Sequence, residues 1–248
     1  MSRIPYRVDI AGGWFDQPWV SKIVPGAVLT VSIEPTYIFP ERSGMATSTR
    51  KRAVRMWGDN IPDGDREELA KMLFCYDNFP GSEYISGSQD AIGITIPGLN
   101  KLNYNGEYWP EVIETAPSST IQFIEENCRI VPSTCKPPNL QILNNLNLSP
   151  TLLQEFSLEV DRCWDAALCL DAKRFGRQVT AAFAKQMEVV PKTIEIINDL
   201  ESYQNRYYGA KLTGSGGFIF VVSPEPIDGE IHVKVRPPLK SRIVYAAF

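Results

Sequence analysis

The chain has a single histidine, His232, in 248 residues. Chemistry that runs on an imidazole base, or a metal site built from several histidines, has almost nothing to work with. His232 lies in Ile231-His232-Val233-Lys234-Val235-Arg236, where apolar and polar residues alternate as on a half-buried strand, and it falls on the polar side. Cysteine is sparse as well. Cys75, Cys128, Cys135, Cys163 and Cys169 are odd in number and form no CxxC pair, which argues against a disulfide framework and a zinc knuckle. They read as reduced, mostly buried thiols of a cytoplasmic protein. No apolar run nears the roughly 20 residues that a bilayer crossing needs. The first residues carry no apolar stretch of the signal-peptide kind, so neither membrane insertion nor secretion is expected. Cations are not in excess either: the net charge of −4 argues against general nucleic-acid binding. Two familiar phosphate loops are also missing, since no glycine loop ends in Gly-Lys-Ser/Thr and no GxGxxG occurs.

What is present is ordinary globular composition, 44% hydrophobic and 22% charged, enough for one large domain or two modest ones sharing a cleft. Arg7 to Ala11 reads as a short strand running into Gly12-Gly13. Leu29, Val31 and Ile33 alternate with polar residues on a second strand. Gly44 to Thr49 is a small-residue turn before a helix over 50–57. Asp65 is placed to cap the next helix, with Glu68 as its reciprocal partner and Leu69, Met72 and Leu73 on one face. Beyond Asp90 the chain reads as extended to about Pro117, and 120–131 reads as a strand. The period then changes. Ser149-Pro150 opens a helix with Leu153, Phe156, Val160, Cys163 and Ala167 in register. Asp171 caps another, with Phe175, Val179 and Phe183. Pro191 starts a third, with Ile194, Ile197 and Glu201. Strands follow over 218–222 and 231–235. This order predicts an α+β chain of two lobes joined somewhere between residues 115 and 148.

Three segments carry chemistry. Gly44-Met45-Ala46-Thr47-Ser48-Thr49, just before a helix, offers backbone amides to a phosphate and hydroxyls to Mg²⁺; the plainer reading is a Ser/Thr-rich helix cap. Arg50, Lys51, Arg52 and Arg55 oppose the dipole at that helix's start, which makes sense if an anion sits there; a solvated basic face is the alternative. Ser86-Gly87-Ser88-Gln89-Asp90 offers a carboxylate that can take the proton of an attacking hydroxyl, and Arg7 can pair with it; a turn aspartate is the alternative. Gly209-Ala210-Lys211-Leu212-Thr213-Gly214-Ser215-Gly216-Gly217 has more glycine than a tight turn needs. Asp16, after Gly12-Gly13 and flanked by Trp14, Phe15 and Trp19, suits a polyhydroxylated ligand, or is a turn residue among core aromatics.

Taken together, RVDIAGGWFDQP, SGMATST, SGSQDAIG and GAKLTGSGG resemble, in order, the motifs of the GHMP kinase superfamily, near its heptose-phosphate kinase and fucokinase branch. The resemblance runs from about Arg7 to Arg236. It implies a two-lobed fold, ribosomal-S5-like over residues 1–118 and ferredoxin-like over 119–248. It implies ATP, Mg²⁺ and transfer of the γ-phosphoryl group to a sugar or sugar phosphate, with a homodimer among the assemblies to expect. On this likeness Asp90 is the catalytic carboxylate and Arg7 its partner. Gly44, Ala46, Thr47, Ser48 and Thr49, with Gly214, Ser215 and Gly216, hold the nucleotide. Ser48 and Asp77 serve the metal. Asp16, Gly12, Gly13 and Trp14 face the substrate. The stretch between the first two motifs is short for the family, which supports a second reading: a GHMP-fold protein that binds a small ligand or a partner without phosphoryl transfer.

Overall fold

The structure is a computed structural model that describes residues 2–82, 84–133, 143, 145–196, 199–214 and 216–237. Cys135, Ile197 and Ser215 therefore lie outside the described residues, as does the Ile194 side chain.

Two four-stranded antiparallel sheets carry the helices. The first has the order β1 (Tyr6–Ala11), β2 (Gly26–Ile33), β3 (Leu99–Tyr104), β4 (Val112–Thr115). The second has the order β6 (Gly209–Leu212), β7 (Phe218–Val222), β5 (Cys128–Pro132), β8 (Ile231–His232). In the first sheet Arg7 stands opposite Ser32 and Asp9 opposite Thr30, with an irregularity between Asp9 and Ala11. That irregularity falls where the strand gives way to Gly12-Gly13. A four-residue helix, α1 (Pro18–Ser21), follows the aromatic turn.

Between β2 and β3 lie α2 (Thr47–Trp57), α3 (Arg66–Asp77) and α4 (Gln89–Thr95). Asp65 caps α3, accepting from the backbone N–H groups of Glu67 and Glu68. The Glu68 side chain pairs with Lys71. Leu69 and Leu73 are buried as expected, while Met72 turns out to solvent. The stretch after Asp90 is extended as expected only from β3 onward; it begins as a helix, α4, whose residues Ala91 to Thr95 are all buried. Its β-branched and glycine content disfavours a helix in isolation, and packing against β1 and β2 overrides that preference.

The segment expected as one strand over 120–131 divides in two. Residues Ser118–Asn127 form α5, which buries Thr120, Ile121, Phe123 and Ile124, and only Cys128–Pro132 is a strand. Thr, Ile and Phe are good strand formers, but here their buried positions fall at 3- and 4-residue spacing. Two long helices follow, α6 (Pro150–Leu168) and α7 (Ala172–Val189), packed on each other. The apolar register expected of both is buried. Asp171 caps α7 through the Arg174 N–H, whereas the Ser149 side chain makes no cap bond to α6. From Pro191 the chain forms a 3-10 turn over Pro191–Ile196, then α8 (Leu200–Arg206), rather than one helix. The last strand also splits. Ile231 and His232 pair with β5, with His232 exposed. Val235 bridges to Ile33 and the Arg236 N–H donates to the Ser32 carbonyl, in the other sheet.

Most of the apolar core is continuous. Phe15, after β1, stacks on Phe156 of α6 with ring centroids 4.9 Å apart, and α6 also packs on β2. Of the four cysteines described, Cys128 and Cys163 are buried, and burial raises the pKa of both thiols and so keeps them protonated and unreactive; Cys75 and Cys169 are exposed, contrary to expectation.

Candidate active site

Residues from four separate segments line one cavity of about 360 Å³: Arg7, Glu41, Arg42, Gly44, Ala46, Thr47, Ser48, Lys51, Asp90 and Gly214. That volume lies at the lower end of the range typical of small-molecule sites. The wall carries three cations and two carboxylates.

Arg7 and Asp90 form an ion pair, the guanidinium nearly fully buried and the carboxylate partly open to the cavity. Arg7 reaches it because Gly93, one turn after Asp90 on α4, has no side chain. A β-carbon there would overlap Cγ of Arg7. Burial lowers the Arg7 pKa, and the Asp9 and Asp16 charges oppose that effect.

The start of α2 forms the floor. Ala46 is its N-cap in the left-handed region (φ 53°) and provides no side-chain cap, so the first amides of Thr47 and Ser48 are not capped from Ala46. The last glycine segment docks here. Thr213 donates its hydroxyl to the Ser43 carbonyl at 2.9 Å. Gly44 (φ 71°) lies so close to the Thr213 carbonyl that a β-carbon would overlap it, and Gly214 packs back on Gly44. Two glycine segments about 170 residues apart thus meet backbone to backbone.

Of the basic residues at the start of α2, Lys51 alone lines the cavity, and it pairs with Glu41. Arg50 donates to the Ile4 carbonyl at 2.8 Å and lies over the Tyr6 ring, 4.1 Å from its centroid. Arg52 pairs with Asp77 at 2.8 Å. The structure thus does not bring the whole group together: Lys51 stands on the cavity wall, joined by Arg42 from the preceding loop, while Arg50 and Arg52 are engaged elsewhere.

Asp77, expected at the metal, is absent from the cavity wall. Its carboxylate is occupied by Arg52 and by the Thr49 hydroxyl, which donates to it at 2.6 Å. Thr49 is thereby turned from the cavity too. Asp16, expected to meet substrate hydroxyls, is 2% exposed and lies beneath Gly87, accepting hydrogen bonds from the side chain and backbone of Gln89. Burial raises its pKa to about 6, with the Arg7 charge opposing. Gly12 packs on the Ala27 carbonyl and Gly13 beside Asp9 and Gln186. Trp14 is half-buried against Trp19, with centroids 6.0 Å apart. None of these four lines the cavity. Gly216 has φ 97° and lies off the wall, so among the described residues of its loop Gly214 is the one that lines the cavity.

Other members of the site were not foreseen. Glu41 and Arg42 come from the irregular loop after β2, where no periodicity marks them. Lys211 and Asp9 form a buried pair at 3.3 Å joining β6 to β1. The signal for that pair was available: charged residues inside two otherwise apolar short strands require partners.

No family model matches the chain, and no curated protein matches it by sequence. Solved structures do match by shape. Mevalonate kinase of Methanococcus jannaschii aligns with a TM-score of 0.58 and 13% identity, over 89% of each chain. A D-glycero-D-manno-heptose 1-phosphate kinase from Bacteriodes thetaiotaomicron aligns at 0.53 and 13%, over 94% of this chain and 95% of that one. This is the GHMP kinase fold. A third structure with it, Lactococcus lactis galactokinase complexed with galactose, aligns at 0.60 and 12%, over 90% of this chain and 84% of that one. The GHMP fold thus spans nearly all of the chain, with its two antiparallel sheets and the helices between them. Among the described residues, no helix is long and apolar enough to cross a membrane, and no group of three acidic, histidine or cysteine side chains is placed to hold a metal ion.

Proposed function

We propose that the chain is a kinase that transfers the γ-phosphoryl group of ATP to a hydroxyl of a sugar or sugar phosphate. The observation that carries this reading is the meeting of the Arg7–Asp90 pair, the start of α2 and Gly214 on one cavity.

The residues present fit a polyphosphate. The amides at the start of α2 are not capped from Ala46, the helix dipole favours an anion there, and Lys51 and Arg42 stand on the wall. Ser48, with Thr47, would hold Mg²⁺, and two cavity carboxylates lie within the same enclosure; Mg²⁺ commonly takes one or two carboxylates and completes its shell with phosphate and water. When bound, Mg·ATP supplies the phosphoryl group and neutralises part of its charge.

The chain's own residues do the rest. Asp90 orients the acceptor hydroxyl and takes its proton. Arg7 holds Asp90 in place through their ion pair and adds positive charge beside the transferring group. Gly214, docked on Gly44, closes the cavity wall. Asp16 acts from below, holding Gln89 and so the segment that carries Asp90, rather than meeting a hydroxyl itself. On this reading residues 1–118 and 119–248 are the two lobes of the kinase. The heptose 1-phosphate kinase and galactokinase among the structural matches favour a sugar, though mevalonate and homoserine kinases share the fold.

The second reading, binding without transfer, draws on Asp77. Its engagement with Arg52 and Thr49 removes the carboxylate that the motif comparison assigned to the metal.

Thermal unfolding with Mg·ATP separates the two. Nucleotide at 100 times its dissociation constant should add about 2.7 kcal/mol of stability. No shift at millimolar nucleotide would sink the kinase reading. If ATP binds, a panel of monosaccharides and sugar phosphates should reveal turnover, and Asp90→Asn should lower it by roughly 10²-fold or more. Nucleotide binding with no turnover on any acceptor would favour the second reading.

A further inference from the structure

Two charged pairs lie on one face of β1. Arg7 and Asp9 are two residues apart on the strand and so point to the same side. Arg7 pairs with Asp90 of α4. Asp9 pairs with Lys211 of β6, whose ammonium is 3.3 Å from Oδ1 and donates to the Asp9 carbonyl at 3.0 Å. The side chains of this second pair are 2% and 3% exposed. Charge therefore alternates along a line that runs from the cavity into the interior: Asp90, Arg7, Asp9, Lys211. The members feel one another, since the Asp9 charge raises the pKa of both cations and the Arg7 charge lowers that of Lys211.

The line has two ways to pair. Nε and Nη1 of Arg7 are buried without a hydrogen bond, while Oδ1 of Asp9 has Lys211 as its ion-pair partner. A buried guanidinium with unused donors would be drawn strongly to a buried carboxylate that had lost its own cation, because the local dielectric is low. What leaves Arg7 to Asp90 is that Asp9 already has a cation. That cation comes from the segment that continues to Thr213 and Gly214, which dock on Ser43 and Gly44. The other charges at this end are Asp16, beneath Gly87 and hydrogen-bonded by Gln89, and Glu41, Arg42 and Lys51 on the cavity wall.

We propose that Lys211 is a positioning residue: by neutralising Asp9 it leaves Arg7 paired with Asp90, and so couples the seating of the last glycine segment to the arrangement of the acceptor-facing carboxylate. The choice of partner by Arg7 stands on geometry alone. The consequence for transfer rests on the kinase reading above.

The test compares Lys211→Met with the double variant Asp9→Asn/Lys211→Met. Crystal structures of both need no substrate. In Lys211→Met, Arg7 should turn from Asp90 to Asp9; in the double variant, with no charge left on residue 9, it should return to Asp90. Should Lys211→Met not accumulate as folded protein, Lys211→Gln, which can still donate to the Asp9 carbonyl, takes its place. Kinetics supply the second readout. Lys211→Met should lower kcat by about tenfold or more with KM for ATP within about twofold, and the double variant should recover most of the loss. A mere latch between the sheets would be as broken in the double variant as in the single one. Arg7 unmoved in Lys211→Met, or not restored in the double variant, overturns the proposal. Lack of turnover in the unaltered protein would instead count against the kinase reading, and the structures would still decide where Arg7 goes.

Discussion

Asp16 is a carboxylate placed where water scarcely reaches it. Burial raises its pKa from 3.8 to about 6, against the pull of Arg7 and the hydrogen bonds from Gln89. The folded protein therefore holds a proton on Asp16 over a range where the unfolded chain has lost it. Between about pH 4 and 6 stability falls as pH rises, and above pH 6 the ionised group costs on the order of 3 kcal/mol. Asp16→Asn removes that penalty and keeps an oxygen for Gln89. It should be more stable than the unaltered protein at pH 8, with the advantage shrinking as pH falls toward 4. Urea midpoints across that range would check this, and an advantage independent of pH would contradict it. The same residue shows the limit of motif reading: its position in RVDIAGGWFDQP suggested a hydroxyl contact, and only the packing of Gly87 over it reveals a carboxylate committed to the chain itself.

At the scale of elements, the site depends on α2 and the loop docked against it. Ala46 holds a left-handed backbone conformation that costs an L-residue about 1–2 kcal/mol. Ala46→Gly relieves this, less the extra freedom glycine has when unfolded, for a net gain of up to about 1 kcal/mol. A higher melting temperature with nucleotide affinity kept or improved is the expected result. Gly44 is the opposite case. A β-carbon there would overlap the Thr213 carbonyl, backbone against backbone, at φ 71°. Gly44→Ala should cost roughly 2 kcal/mol or more and separate the two glycine segments. Loss of nucleotide binding well below the variant's melting temperature would mark that separation. Thr213→Val, which removes the bond to the Ser43 carbonyl, should act in the same direction by about 1 kcal/mol.

At the scale of the whole molecule, the described residues form two sheets with a largely shared core. Phe15 from the first sheet's side stacks on Phe156 of α6, Lys101 of β3 pairs with Asp161 of α6 at 2.8 Å, and the segment after β8 crosses back to bridge Ile33. Unfolding should therefore be one cooperative transition with equal calorimetric and van't Hoff enthalpies. Phe156→Ala should cost about 3–5 kcal/mol and lower that transition as a unit. Two resolved transitions, only one of them moved by Phe156→Ala, would show lobes that fold apart.

Much of this was legible from residues alone. The pairing of Arg7 with Asp90, far apart in the chain, was expected only from the resemblance of the motifs; the strand β2, the caps Asp65 and Asp171, and the buried registers of α6 and α7 follow from local periodicity and cap chemistry, which act over a few residues. The helices α4 and α5 did not, because their β-branched residues favour strands until a sheet is there to pack against. Nor did the engagement of Asp77 with Arg52, the burial of Asp16, or the entry of Glu41 and Arg42 into the cavity. Sequence by itself determined which side chains could do chemistry and which turns could approach a phosphate. Only the tertiary structure decided which of them meet, because Thr213 on Ser43 and Lys211 on Asp9 are contacts across about 170 and 200 residues, and no local preference specifies a partner that far along the chain.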